Sequence, residues 1–220
     1  MNHYKNRYLF NIEMCFNKDV SILSYLIGFA GCILLYYRDY KIEGLFYLFI
    51  IQMQLIEYLL WLNNSCNLIN KTITKIGIVL NHIQPIILYF LIIYFNSNLD
   101  KYTKNIINLI IIIYIISTIA YLIYNYKLLD SCTIGIENKK ELFWEIHHGH
   151  LFEYYHIFVF AIFFMVLLGF KKHNYLNAYI ILASIIISYI VYDKNKAVGT
   201  IWCLFAAYIP LLLNILYTIK

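Results

Sequence analysis

The stretch Gly44-Leu-Phe-Tyr-Leu-Phe-Ile-Ile-Gln-Met-Gln-Leu-Ile-Glu-Tyr-Leu-Leu-Trp-Leu62 decides how this chain is read. It matches the run of roughly 20 apolar residues that an α-helix needs to cross a hydrocarbon core about 30 Å thick. Within it sits Glu57, preceded by Gln52 and Gln54 and followed by Trp61. An ionisable side chain inside a span is costly, so such residues face protein or water and mark functional sites by default.

The rest of the chain repeats the pattern. Of 220 residues, 62% are hydrophobic and only 13% charged, whereas a soluble domain carries about 25% charged residues. The net charge of +5 is spread over short connectors without a basic tract. That distribution argues against nucleic acid as a partner and points to a lipid bilayer, with Lys and Arg marking the loops. No phosphate-binding glycine loop, serine elbow or kinase signature occurs. The last span contains no lysine for a retinal Schiff base. Lys5, Arg7, Glu13, Lys18 and Asp19 interrupt the first nineteen residues, so no cleavable signal peptide is expected there.

Apolar runs bounded by charge predict an all-α polytopic membrane protein with seven transmembrane helices. The expected spans are 20–37, 44–62, 73–95, 106–124, 151–170, 175–192 and 200–219. Membrane strands would be about 9–11 residues and alternate polar with apolar, which these runs do not. The expected division is an N-terminal extension over 1–19 and one seven-helix domain over 20–219.

An odd number of spans puts the termini on opposite sides. The N-terminal side, side A, receives ten Lys and Arg residues and side B seven, which leans toward a cytoplasmic N-terminus. Cys15, Cys66, Cys132 and Cys203 all map to side A or its boundary. Disulfides in a lumenal compartment require such clustering, while reduced thiols permit it.

Steps of 100° per residue identify shared helix faces. Ser21, Ser24, Gly28 and Gly31 or Cys32 form a small-residue stripe in the first span. Asn177, Ser184 and Ser188 do so in the sixth, and Cys203, Ala207, Pro210 and Asn214 in the seventh. These stripes predict close helix packing. In the second span Gln54, Glu57 and Trp61 share a face. In the third, Asn81, His82, Gln84, Pro85 and Tyr89 share one, and Pro85 should free the carbonyl of Asn81. The fifth span is expected to begin through Phe143-Trp-Glu-Ile-His-His-Gly-His-Leu-Phe-Glu-Tyr-Tyr-His156. Helical geometry across Gly149 would align His147, His150, Glu153 and Tyr154. The three polar sets are expected at one depth, toward side A.

Three roles fit this polar centre. Glu57 with His82 or Gln54 has the chemistry of a relay for protons or a small solute. His147, His150, Glu153 and His156 offer a ligand set for Zn or Fe, as in an intramembrane metal-dependent hydrolase or redox enzyme. Finally, the polar groups can simply tie helices together in a non-catalytic protein that binds lipid or a partner. The small-molecule ligand and the oligomeric state are not specified by the sequence.

Met14-Cys-Phe-Asn17 followed by Ser21, Gln54-x-x-Glu57-x-x-x-Trp61, and Thr200-Ile-Trp-Cys-Leu-Phe-Ala-Ala207 occur in that order. Together they resemble an uncharacterised family of multi-pass membrane proteins from bacteria, some eukaryotes and large DNA viruses. That family has a Met-Cys-Phe-Ser start, Gln-x-x-Glu-Gly-x-x-Trp in its second span and Ser-x-Trp-Cys-Phe-Phe-Ala-Ala in its last. Gly149-His150-Leu151 is similar to the viral part of it, which implies a host-cell or virion membrane. Asn17, Tyr58 and Thr200 depart from the pattern. The resemblance implies seven helices and no known activity. It also groups Cys15, Trp202 and Cys203 with Trp61 at one end of the bundle, as a redox pair, a metal site or packing.

Overall fold

The computed structural model describes residues 17–96, 99–126, 130–136, 141–144, 151–170, 174–191 and 198–219. Its helices are α1 (Lys18–Tyr37), α2 (Lys41–Ile50), α3 (Gln52–Leu62), α4 (Leu68–Phe95), α5 (Lys101–Tyr124), α6 (Leu151–Gly169), α7 (Asn174–Val191) and α8 (Val198–Ile219). Between α5 and α6 lies an antiparallel hairpin of β1 (Thr133–Ile136) and β2 (Glu141–Trp144), with Thr133 opposite Trp144. Among the described residues, five helical stretches are long and apolar enough to cross a membrane: Lys18–Tyr37, Lys41–Leu62, Leu68–Phe95, Lys101–Tyr124 and Trp202–Ile219. Among the described residues, Ile157–Gly169 and Tyr175–Ser188 are shorter apolar helices. The protein is a multi-pass integral membrane protein built as a helical bundle.

Short polar side chains start these helices. Asn17 caps α1 by accepting from the amides of Asp19 and Val20, Asn67 caps α4 through Asn70, and Asp100 caps α5 through Thr103. Each satisfies amides that the first turn leaves without an intrahelical partner.

The small-residue stripes pack as their spacing predicts. Ser21, Ser24, Gly28, Gly31 and Cys32 are buried, and α1 lies chiefly against α8 and α2. A methyl group on Gly28 would sit 2.7 Å from the Ala207 carbonyl oxygen, and one on Gly31 2.8 Å from the Leu211 nitrogen. At the side-B end, Asn214 donates to the Gly31 carbonyl at 2.9 Å. Arg38 reaches the Asn214 carbonyl and the Thr218 hydroxyl.

Two features differ from the sequence expectation. The second span is not one uninterrupted helix: it tightens at Ile51, where the amide of Gln54 bonds the Ile51 carbonyl. The cause is local. The Gln52 side-chain amide donates to the Leu48 carbonyl at 2.8 Å, the acceptor an α-helix reserves for the Gln52 backbone N–H. The second correction concerns Phe143 and Trp144, expected at the helical start of the fifth span. They lie in β2 instead, while the helix begins at Leu151, the bound expected for the fifth span. The β-branched run of β1 supplies the partner that lets β2 satisfy its backbone outside the bundle.

Candidate functional site

Glu57 lies on α3, whose side-A end is closed by the hairpin. The closure is built from named contacts. Asn70, fully buried on α4, donates to the carbonyls of Thr133 (2.7 Å) and Asn63 (2.8 Å) and accepts from the Thr133 amide (3.1 Å). Thr74 Oγ1 accepts from the same amide, and Asn64 Oδ1 from the amide of Gly135. A Cys66–Cys132 disulfide joins the α3–α4 loop to the segment leading into β1. Lys75 and Asp130 pair at 2.5 Å, and that hydrogen bond and charge hold the Asp130 carboxyl below its ordinary range. The Trp61 ring packs on Gly135, and the Trp144 ring packs on Gly77 beside Ile56.

Beneath this cap Glu57 is 1% exposed. Its carboxylate oxygen accepts from Gln54 Nε2 at 3.1 Å, one helical turn away. Among the described residues no Lys, Arg or His pairs with it; the two ion pairs are Lys41–Asp39 and Lys75–Asp130. The buried Cys203 thiol of α8 is free and lies within electrostatic reach of the Glu57 carboxyl. Its neighbour Trp202 is 2% exposed and meets Phe158 edge-on. Several polar atoms here have no hydrogen-bond partner among the described residues: Gln54 Oε1, Trp61 Nε1 and Trp202 Nε1. Buried polar groups are paired in more than nine cases of ten, so unfilled capacity around one acid requires an explanation.

His82 does not share the level of Glu57. Ile56 packs against Gly77 across the antiparallel α3–α4 pair. His82 is five residues further along α4 than Gly77, and Glu57 is one residue above Ile56. At 1.5 Å per residue the two rings of polarity are offset by about 9 Å. The expected common depth is thus corrected: α4 starts at Leu68, where the span was expected from 73, and projects beyond α3. The His82 ring bonds the Ile78 carbonyl at 2.7 Å and stacks on Tyr121. Asn81 accepts a long contact from Gln84 at 3.4 Å. The Tyr114 hydroxyl donates to the His82 carbonyl, next to the Asn81 carbonyl that Pro85 was expected to free. Tyr114, Phe158 and Trp202 form an aromatic chain from this deeper level to the Glu57 level.

The structure thus brings Gln54, Glu57, Trp61 and Cys203 to the side-A half, with Trp202 adjoining. It sets Asn81, His82 and Gln84 below them. Cys15, His147 and His150 lie outside the described residues, as do the side chains of Glu153 and His156 on α6. Among the described residues, no three His, Cys, Asp or Glu side chains converge as a metal site.

Sequence reasoning missed Glu43. It is 5% exposed on α2, and both Tyr47 and Tyr217 lie within electrostatic reach of its carboxyl. The signal was present: the face through Trp61, Glu57 and Gln54 continues to Tyr47 and Glu43 at helical spacing. Starting the span at Gly44 left Glu43 in a connector.

No family model, curated protein or solved structure matches the chain.

Proposed function

We propose that this chain is a seven-span membrane protein that moves protons, or a small solute coupled to them, through the polar centre around Glu57. The carrying observation is the sealed acid itself, which among the described residues has one amide donor, no cation and unfilled hydrogen-bonding groups beside it. An uncompensated charge in such a place costs several kcal/mol. Charge at Glu57 must therefore be met by a proton or by an arriving cationic group. In this conformation the hairpin closes side A, so passage requires the cap to shift.

Support for seven spans comes from chain order: α6 and α7, each apolar, fill the interval between α5 and α8, and α2 with α3 makes one crossing. The resemblance to the uncharacterised family supports the same architecture. In that pattern a Ser occupies the position of Asn17, and both residue types serve as helix N-caps. The disulfide supports placing side A, and with it the N-terminus, in an oxidising compartment. This opposes the lean of the charge count.

The test is proton flux in proteoliposomes carrying an entrapped pH-sensitive dye, with potassium and valinomycin to cancel the membrane potential. Wild-type protein should dissipate an imposed pH step faster than protein-free vesicles, and Glu57→Gln should abolish the excess. The variant retains a side chain able to bond Gln54, which favours a folded protein. Equal rates for both proteins would instead assign Glu57 to a fixed tie between helices.

A further inference from the structure

Of the contacts that seat the hairpin, one is covalent and lies at its root. Cys132 immediately precedes Thr133, whose amide and carbonyl are the groups held by Asn70 and Thr74. The disulfide to Cys66 therefore clamps the start of β1 to the α3–α4 loop, next to the bundle's own hydrogen bonds. Further along β1, Gly135 is held by the Asn64 side chain and covered by the Trp61 ring. The two sulfurs close a loop with sequence separation 66, which contains α4 and α5.

The covalent clamp differs from the other contacts in the state on which it acts. Hydrogen bonds and ring packing favour the seated hairpin directly. The disulfide instead restricts the unseated one, because a tethered strand stays beside Asn70 and reseats. Cutting it gives the unseated strand the freedom of an open loop. For an unstructured loop of this length the gain would be about a thousandfold, but α4 and α5 already order most of it, so about tenfold is the expected scale.

Beneath the root lies the way to Glu57. Trp61 stands one turn above Glu57 on the same face of α3, and its Nε1 has no hydrogen-bond partner among the described residues. Thr133 Oγ1, at the root itself, is buried and likewise without one. Water entering as the strand lifts finds its first partners in these two groups. The bond is also within reach of a reagent: Cys66 is exposed, whereas Cys132 is buried.

We infer that the Cys66–Cys132 bond is a redox latch on the side-A entrance, released by a dithiol reductant. A thiolate of the dithiol attacks the exposed Cys66 Sγ, the S–S bond breaks, and Cys132 leaves with the electron pair as a thiolate that takes up a proton. The second thiol of the reductant then displaces Cys66 from the mixed disulfide. The protein gains two electrons and two protons, and the dithiol becomes an intramolecular disulfide. The step from an unlatched hairpin to proton passage rests on the reading proposed above.

Dithiothreitol is the probe, applied to purified wild type and to the Cys66→Ala/Cys132→Ala double variant. Cys32 and Cys203 are free thiols, so among the described residues the reagent meets this one disulfide. Amide exchange over 133–136 should rise about tenfold on reduction. Proton flux in proteoliposomes should rise severalfold with it, and reoxidation with oxidised glutathione should reverse both. The double variant should behave as reduced wild type and ignore dithiothreitol. Full reduction, verified by maleimide labelling of both sulfurs, with exchange changed by less than about twofold would overturn the latch. Faster exchange with unchanged flux would make the bond a staple of the hairpin and overturn its control of the entrance. No flux in either redox state would remove the proton-carrying reading, and exchange alone then decides the latch. Should the double variant fail to fold, reduction of the folded wild type decides.

Discussion

Replacing Asn70 by Ala should release the hairpin from the bundle while leaving the helices in place. The fully buried Asn70 side chain makes two hydrogen bonds to the Thr133 backbone and one to the Asn63 carbonyl, and accepts a long one from Thr74 Oγ1 at 3.5 Å. Only the two bonds to Thr133 are broken when the hairpin opens, so at about 1 kcal/mol net for each the loss is about 2 kcal/mol. The opening equilibrium of the hairpin should therefore rise by about thirtyfold. The Thr133 amide retains Thr74 as a partner, which keeps the loss from growing further. Amide hydrogen exchange of purified protein, followed by mass spectrometry over 133–136, reads this directly. The disulfide stays intact in both proteins and so cancels. Exchange at pH 7 also isolates Asn70 from the Lys75–Asp130 pair. The Asp130 carboxyl is depressed, so its contact is present above its unfolded value of about 4 and is lost only as acid carries the pH down through the lower folded value. Thr72→Ala, on the exposed face of the same turn, should leave exchange unchanged. A protection factor over 133–136 that moves by less than about twofold in Asn70→Ala would refute the additive reasoning.

The α1–α8 seam predicts that Gly28→Ala or Gly31→Ala destabilises the detergent-solubilised protein by about 1–3 kcal/mol, because the methyl meets backbone and proline atoms that cannot yield. Lipid-facing Ala30→Leu should be silent in the same thermal melt. For orientation, a membrane-impermeant reductant applied to intact cells should expose Cys66 and Cys132 to a bulky maleimide, seen as a gel shift of two adducts. A shift obtained only with a permeant reductant would place side A in the cytosol.

Much of the bundle was legible because membrane burial writes long-period signals. Spans near 20 residues and the glycine and serine stripes follow from local chemistry, whereas the caps Asn17, Asn67 and Asp100 were not read from the sequence. The hairpin was not legible. Its strands are four residues each, too short for alternation to be distinguished from the apolar background, and its seat depends on Asn70, more than sixty residues away. The break at Ile51 was hidden for a different reason: Gln52 was read as one more polar residue of a span, when its amide competes for a backbone acceptor. Of the two partners expected for Glu57, His82 or Gln54, the structure gives Gln54, at i, i+3 spacing. The depth of His82 was not legible, since it depends on how far α4 projects beyond α3. Glu43 was one residue outside the expected span, so the helical spacing that joins it to the Glu57 face went unused.

The bond between Cys66 and Cys132 also fixes an order of events during synthesis. Its two sulfurs bracket the whole of α4 and α5. Both helices must be threaded through the bilayer, and residue 132 must return to the face where residue 66 already waits, before the bond can close. Its formation thus marks the moment at which the second and fourth loops have reached the same side. A chain arrested with α5 misplaced would carry two unjoined thiols and no seated hairpin, an unfinished product that a thiol-based quality-control system can distinguish from a finished one.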